Sequence, residues 1–228
     1  MKRPFPRHRR GVARGLSLVE LMVGVAVGLM VVAGASFVAV NQIGDTRRLL
    51  LETQVQQDLR ATADMVARDL RRAGYWGAAE TGVWQGDNPT VAANPYPDIT
   101  LPVDANEVDF SYSRDVTEDN LIDDDKERFG FKLDGGAIKM LVGGAWQAMT
   151  DTNVLEVTRF DIVAQNQSVQ QACFKECPGG GTACWPTQAV RSYTVEIAGR
   201  AVADPAVQRS VRDSVRVRND PISGACPA

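Results

Sequence analysis

Asp115, Thr117, Asp119 and Asp123 occupy the first, third, fifth and ninth places of a calcium-loop pattern, a spacing that lets hard oxygen ligands converge on one cation. Lys126 stands at the twelfth place, where the pattern has Glu, so Asp124, Asp125 or Glu127 would have to complete the shell. The competing expectation is a solvent-exposed acidic hairpin. Four cysteines, Cys173, Cys177, Cys184 and Cys226, offer a second chemistry. Without histidine or paired CxxC spacing they point to disulfides rather than zinc. Three pairings are open. The nested one, Cys177 with Cys184 and Cys173 with Cys226, is preferred because it closes the Gly179-Gly180-Gly181 loop locally and ties the C-terminal tail back to the strands. The only histidine, His8, lies in a basic segment, so the rest of the chain has no imidazole for a Ser-His-Asp triad, a Cys-His pair or a His-ligated zinc. Carboxylate catalysis alone escapes that limit, and the chain is expected not to be an enzyme.

Glu20 is the remaining residue with chemical force. It sits fifth in Leu16 to Val40, twenty-five residues of which twenty-four are uncharged. Such a stretch makes about 37 Å of helix against a hydrocarbon core of about 30 Å. A carboxylate at a membrane-helix centre costs roughly 2.5–3.5 kcal/mol, so Glu20 either reaches the membrane surface or waits for a cationic partner. Lys2, Arg3, Arg7, Arg9, Arg10 and Arg14 precede the stretch with no acid among them. This bias holds the N-terminus in the cytoplasm and puts everything after Val40 outside. A cleaved signal peptide would have a shorter apolar core ending at small residues, whereas this one runs into a helical pattern.

Arg14-Gly15-Leu16-Ser17-Leu18-Val19-Glu20-Leu21-Met22-Val23 resembles the cleavage and methylation motif of type IV prepilins and pseudopilins, carried by Gly15, Leu16 and Glu20. Leu16 stands where that family usually has Phe. The resemblance implies a basic leader, residues 1–15, cut after Gly15 by a prepilin peptidase, N-methylation of Leu16, and pairing of Glu20 with the terminal amine of a neighbouring subunit. A second stretch, Ala67 to Gly77, looks like the helix end of the PilW family of minor pilins. Together they imply a minor pilin of the bacterial inner membrane and then of the pilus. It would be a single-pass subunit that primes assembly with other minor and major pilins on an inner-membrane platform. A J-type minor pseudopilin of a type II secretion system shares these features. A calcium-dependent tip adhesin is the alternative of another class.

These residues need elements to position them. Leu51, Val55, Leu59, Thr62, Val66, Leu70 and Ala73 recur at steps of three or four, so the helix continues as an amphipathic half over 41–74, with Gly74 as its stop. Asn41, Gly44 and Asp45 are candidate weak points, and Gly24, Gly28 and Gly34 permit close helix packing in the bilayer. Residues 75–228 read as a head. Glu107 to Ser113, Arg128 to Leu133, Ala137 to Val142 and Val154 to Ala164 are strand-like, with Asp134-Gly135-Gly136 as a hairpin turn and Asn88 to Pro102 as a connecting loop. Arg191, Tyr193, Val195 and Ile197 share one face of a later strand, and Val211, Val215 and Val217 one face of the last. The expected fold is α+β and pilin-like: a long N-terminal membrane-spanning helix packed on an antiparallel β-sheet head. Without its first fifteen residues the chain has 19 bases and 28 acids, which disfavours general nucleic-acid binding. Arg209, Arg212, Arg216 and Arg218 accordingly read as a solvated strand face rather than a DNA contact.

Overall fold

The computed structural model describes residues 15, 17–83, 92–96, 99–102 and 106–227. Helix α1 spans Leu18–Leu70, and the chain divides into two compact units, Met1–Arg48 and Leu49–Ala228. Asn41, Gly44 and Asp45 lie within α1 without interrupting it. Thr46 donates its hydroxyl to the Gln42 carbonyl at 2.7 Å. In the first unit every described residue is exposed, including Leu18, Met30, Phe37 and Val40 at 68–75 %. This helix is long and apolar enough to cross a membrane.

In the second unit the apolar stripe of α1 does what its spacing requires: Val55, Leu59, Ala63, Val66 and Leu70 are buried in one hydrophobic core. The helix ends by tightening. Arg72 N–H donates to the Asp69 carbonyl at 2.9 Å and Ala73 N–H to Leu70 at 3.2 Å, three-residue closures that narrow the last turn before Gly74. Gly74 takes φ +74°, the left-handed conformation that ends helices and that glycine adopts without penalty. The regular helix thus stops four residues before the expected glycine.

Eleven strands follow among the described residues. β1 (Ile99–Thr100), β2 (Glu107–Ser111), β3 (Arg128–Asp134), β4 (Ala137–Val142) and β5 (Ala145–Ala148) form an antiparallel meander. Both of its tight hairpins use a glycine pair: Gly135-Gly136 and Gly143-Gly144 all have φ between +61° and +77°, the geometry two-residue turns demand. A second antiparallel sheet runs β10 (Gln208–Arg216), β9 (Ser192–Ala201), β6 (Leu155–Ala164). On β6 the buried residues are Leu155 and Val157, then Phe160 and Ile162; a bulge between Val157 and Arg159 absorbs the change of parity. The third sheet, β11 (Ile222–Ser223), β8 (Thr187–Val190), β7 (Gln167–Gln170), has no counterpart among the expected strands. Its edge strand β7 is exposed at every position, so it lacks the alternation that marks a strand in sequence.

Val108, Phe110, Phe131 and Ile138 from the meander, and Phe160, Ile162, Val195 and Ile197 from the second sheet, join the α1 stripe in the core. Gly199 is tightly enclosed. A Cβ there would stand 2.8 Å from Leu155 Cδ1, 3.0 Å from the Glu156 carbonyl oxygen and 3.5 Å from Leu59 Cδ2. The head is therefore an α+β unit whose antiparallel strands pack on one helix.

Candidate functional site

The first site is the start of α1. Gly15 and Glu20 are both exposed; Leu16 lies outside the described residues, as does nearly all of the leader. Leu21 N–H donates to the Ser17 carbonyl at 3.1 Å, which opens the helical ladder and puts Glu20 in its first turn, where the dipole favours a carboxylate. No atom of the other described residues lies within 4 Å of where a Gly15 Cβ would stand.

The acidic turn between β2 and β3 is organised around a residue assigned only as a spare ligand. Glu127 is fully buried. Its carboxylate accepts the Arg114 N–H at 2.9 Å, the Asp123 N–H at 3.0 Å and the Tyr96 hydroxyl at 3.1 Å, so it works as an internal clamp on the loop. Asp123 turns to Lys126, at 2.6 Å, and that hydrogen bond first among its contacts holds its carboxyl below the usual range. The carboxylates drawn together are Asp115, Asp119 and Glu118, all within 4.8 Å of one another, and Glu118 was not in the expected set. Thr117 is exposed beside them. Burial and then the charges of Glu127, Asp119 and Glu118 push the Asp115 carboxyl up. Glu118 goes the other way. Burial raises it, but hydrogen bonds from Ser113, Gly77, Asn120 and Tyr96 outweigh that and hold it below its ordinary 4.5. Tyr96, without exposed surface, is pushed up by burial and by the two facing glutamates, so its hydroxyl stays protonated. The even-odd pattern of ligand spacing shows the first-to-fifth half of this cluster. The buried role of Glu127 leaves no mark in sequence, because Tyr96 comes from far upstream.

The cysteines form Cys173–Cys226 and Cys177–Cys184, the nested arrangement, with Cα separations of 5.6 and 5.7 Å. Cys173–Cys226 ties the segment after β7 to the tail after β11. Cys177–Cys184 closes a loop in which Gly180 N–H donates to the Cys177 carbonyl at 2.8 Å and Cys177 N–H to Gly181 at 3.0 Å. Of the four arginines weighed as a DNA contact, Arg209 pairs with Glu52 and Arg216 with Asp220, and Arg212 is exposed on β10.

A family model described as PpdB, prepilin peptidase-dependent protein B, matches residues 48–217, about three quarters of the chain. No curated protein and no solved structure matches.

Proposed function

The chain belongs to the PpdB family, prepilin peptidase-dependent protein B, and is a pilin-related protein; on that premise we propose that it is a minor pilin of the PilW type, a membrane-stored subunit that helps prime a type IV pilus. The observation that carries this reading is the start of α1. The residues matched by the family begin at 48, so the Gly15-Leu16 and Glu20 motif lies outside them and supports peptidase dependence independently. That motif is followed by the apolar stretch of α1, in which no described residue is buried. Nothing among the described residues crowds Gly15, which supports selection of that glycine by the peptidase.

In this reading the peptidase cuts after Gly15 and the N-terminus of Leu16 is methylated. The helix stays in the inner membrane with the head on the periplasmic side. Glu20 then joins the terminal amine of a neighbouring pilin as the subunit leaves the bilayer, so the cost of a carboxylate in lipid favours assembly. Other minor and major pilins and the assembly platform are its partners. The work is binding, with no turnover and no required cofactor.

The test is mass spectrometry of the membrane form together with a deletion. A mature chain starting at methylated Leu16, and lost pili with protein export intact, are the expected results. A terminus after Val40 overturns the reading, and lost export with normal pili reassigns the chain to the J-type pseudopilins. The crowding of Asp115, Glu118 and Asp119 supports a separate calcium-dependent adhesin reading. Chelator-sensitive binding to host material would favour it over scaffolding.

A further inference from the structure

The head is acidic, yet one of its clefts is not. Residues 49–228 hold 26 acids and 17 bases, whereas the cleft of about 760 Å³ at the C-terminal end of α1 is lined by five arginines and one acid. Arg68, Arg71 and Arg72 come from the helix end, Arg114 from the loop after β2 and Arg218 from the segment after β10. The acid is Asp69. Among the described residues none of the five guanidinium groups lies within 4.0 Å of a carboxylate, unlike Arg159, Arg200, Arg209 and Arg216 of the second sheet, which are paired.

Helix capping does not use these charges. The last carbonyls are taken by other donors: Asn219 Nδ2 reaches the Arg72 and Ala73 carbonyls at 3.3 and 3.2 Å, Arg218 N–H reaches Arg71 at 3.3 Å, and Asn94 Nδ2 reaches Gly74 at 2.9 Å. The floor is aromatic. Tyr112 and Phe129 stack with centroids 4.2 Å apart, Arg72 lies 6.0 Å over Tyr112, and Arg114 lies 5.9 Å over Phe129. Stacking engages the face of a guanidinium and leaves in-plane N–H donors that match a carboxylate, although Arg72 gives one of its donors to the Tyr112 hydroxyl. Tyr75, Met140 and Val142 add apolar lining beside those donors.

We propose that this arginine cleft is the docking site for an acidic peptide segment, carboxylates alternating with an aromatic or aliphatic side chain, presented by a partner pilin subunit. The identity of the partner rests on the function proposed above; the ligand chemistry rests on the cleft. A long polyanion fits less well, because Asp115, Glu118 and Asp119 follow Arg114 directly and would repel strands leaving the cleft.

The test uses the full chain in neutral detergent and a fluorescein-labelled peptide, Gly-Glu-Tyr-Glu-Glu-Leu-Gly, read by anisotropy. Binding should weaken at least tenfold between 50 and 300 mM NaCl and be at least tenfold weaker for the peptide with Gln at each Glu. Arg71→Glu with Arg114→Glu should abolish it without moving the thermal midpoint. Because Arg114 covers Phe129, Arg68→Glu with Arg71→Glu, both exposed, supplies a second variant that should also lose at least tenfold. Equal binding of the Glu and Gln peptides, or binding untouched by both variants, overturns the proposal. So does tighter binding to phosphatidylglycerol vesicles or to oligo-dT than to the peptide. In cells, the Arg71→Glu, Arg114→Glu chain should be cut after Gly15 yet recover fewer partner pilins; normal recovery overturns the cleft alone. A wild-type chain left uncut overturns the pilin reading and with it the partner named here, while the peptide titration still judges the cleft.

Discussion

Glu127 is a carboxylate with no access to water and three donors around it, so its hydrogen bonds fix the loop that carries Asp115, Glu118 and Asp119. Glu127→Gln turns one acceptor into a donor facing donors and should lower head stability by about 1–3 kcal/mol in urea titration. A loss below about 0.5 kcal/mol would mean that the clamp is relaxed in solution. Glu118 sets an acid limit. Its folded carboxyl lies below its ordinary 4.5, so its contribution is complete above that value and is lost as pH falls through the folded one. Glu118→Gln should therefore flatten the decline of the thermal midpoint below about pH 4.5. Asp115 has the opposite sign, being raised, so Asp115→Asn should not destabilise the head at pH 7. At Glu20, Glu20→Ala should insert normally and yet recover fewer partner pilins from membranes; undiminished recovery would remove its assembly role.

At the scale of elements, Gly199 on β9 faces Leu155 and Glu156 of β6 and Leu59 of α1. Gly199→Ala would drive a methyl into Leu155 and the Glu156 carbonyl and should cost about 1–3 kcal/mol, read as a lower thermal midpoint of the head. The helix stripe, the Asp134-Gly135-Gly136 hairpin and β9 were legible because each announces itself through a local period or a dipeptide that few backbones tolerate. The third sheet was not: Gln167–Gln170 is exposed throughout, and its pairing to β8 depends on partners twenty residues away. The parity change on β6 was equally hidden, since the bulge after Val157 makes one strand look like two half-patterns. The calcium spacing was read on an ideal loop. The chain instead spends Asp123 on Lys126 and buries Glu127, choices made by Tyr96 and Arg114 across the fold.

For the whole molecule, the two compact units have opposite surface character, and full-length chain should require detergent for extraction from membranes, whereas a head beginning at Leu49 should be recovered in buffer alone. A head that stays in the membrane fraction would place a further anchor in residues 49–228. The Cys173–Cys226 bond has a consequence for a head placed under tension. Its two cysteines are 53 positions apart and their Cα atoms 5.6 Å apart. Tension applied between the start of the head and its tail bypasses everything between them, withholding about 175 Å of contour at roughly 3.4 Å per residue. A stretched head would therefore yield in a shorter step when oxidised, and lengthen by that hidden slack once reduced, a difference that single-molecule extension can read directly. The bond acts as a strain limiter, capping how far the head can be drawn out before the pull passes to whatever holds it.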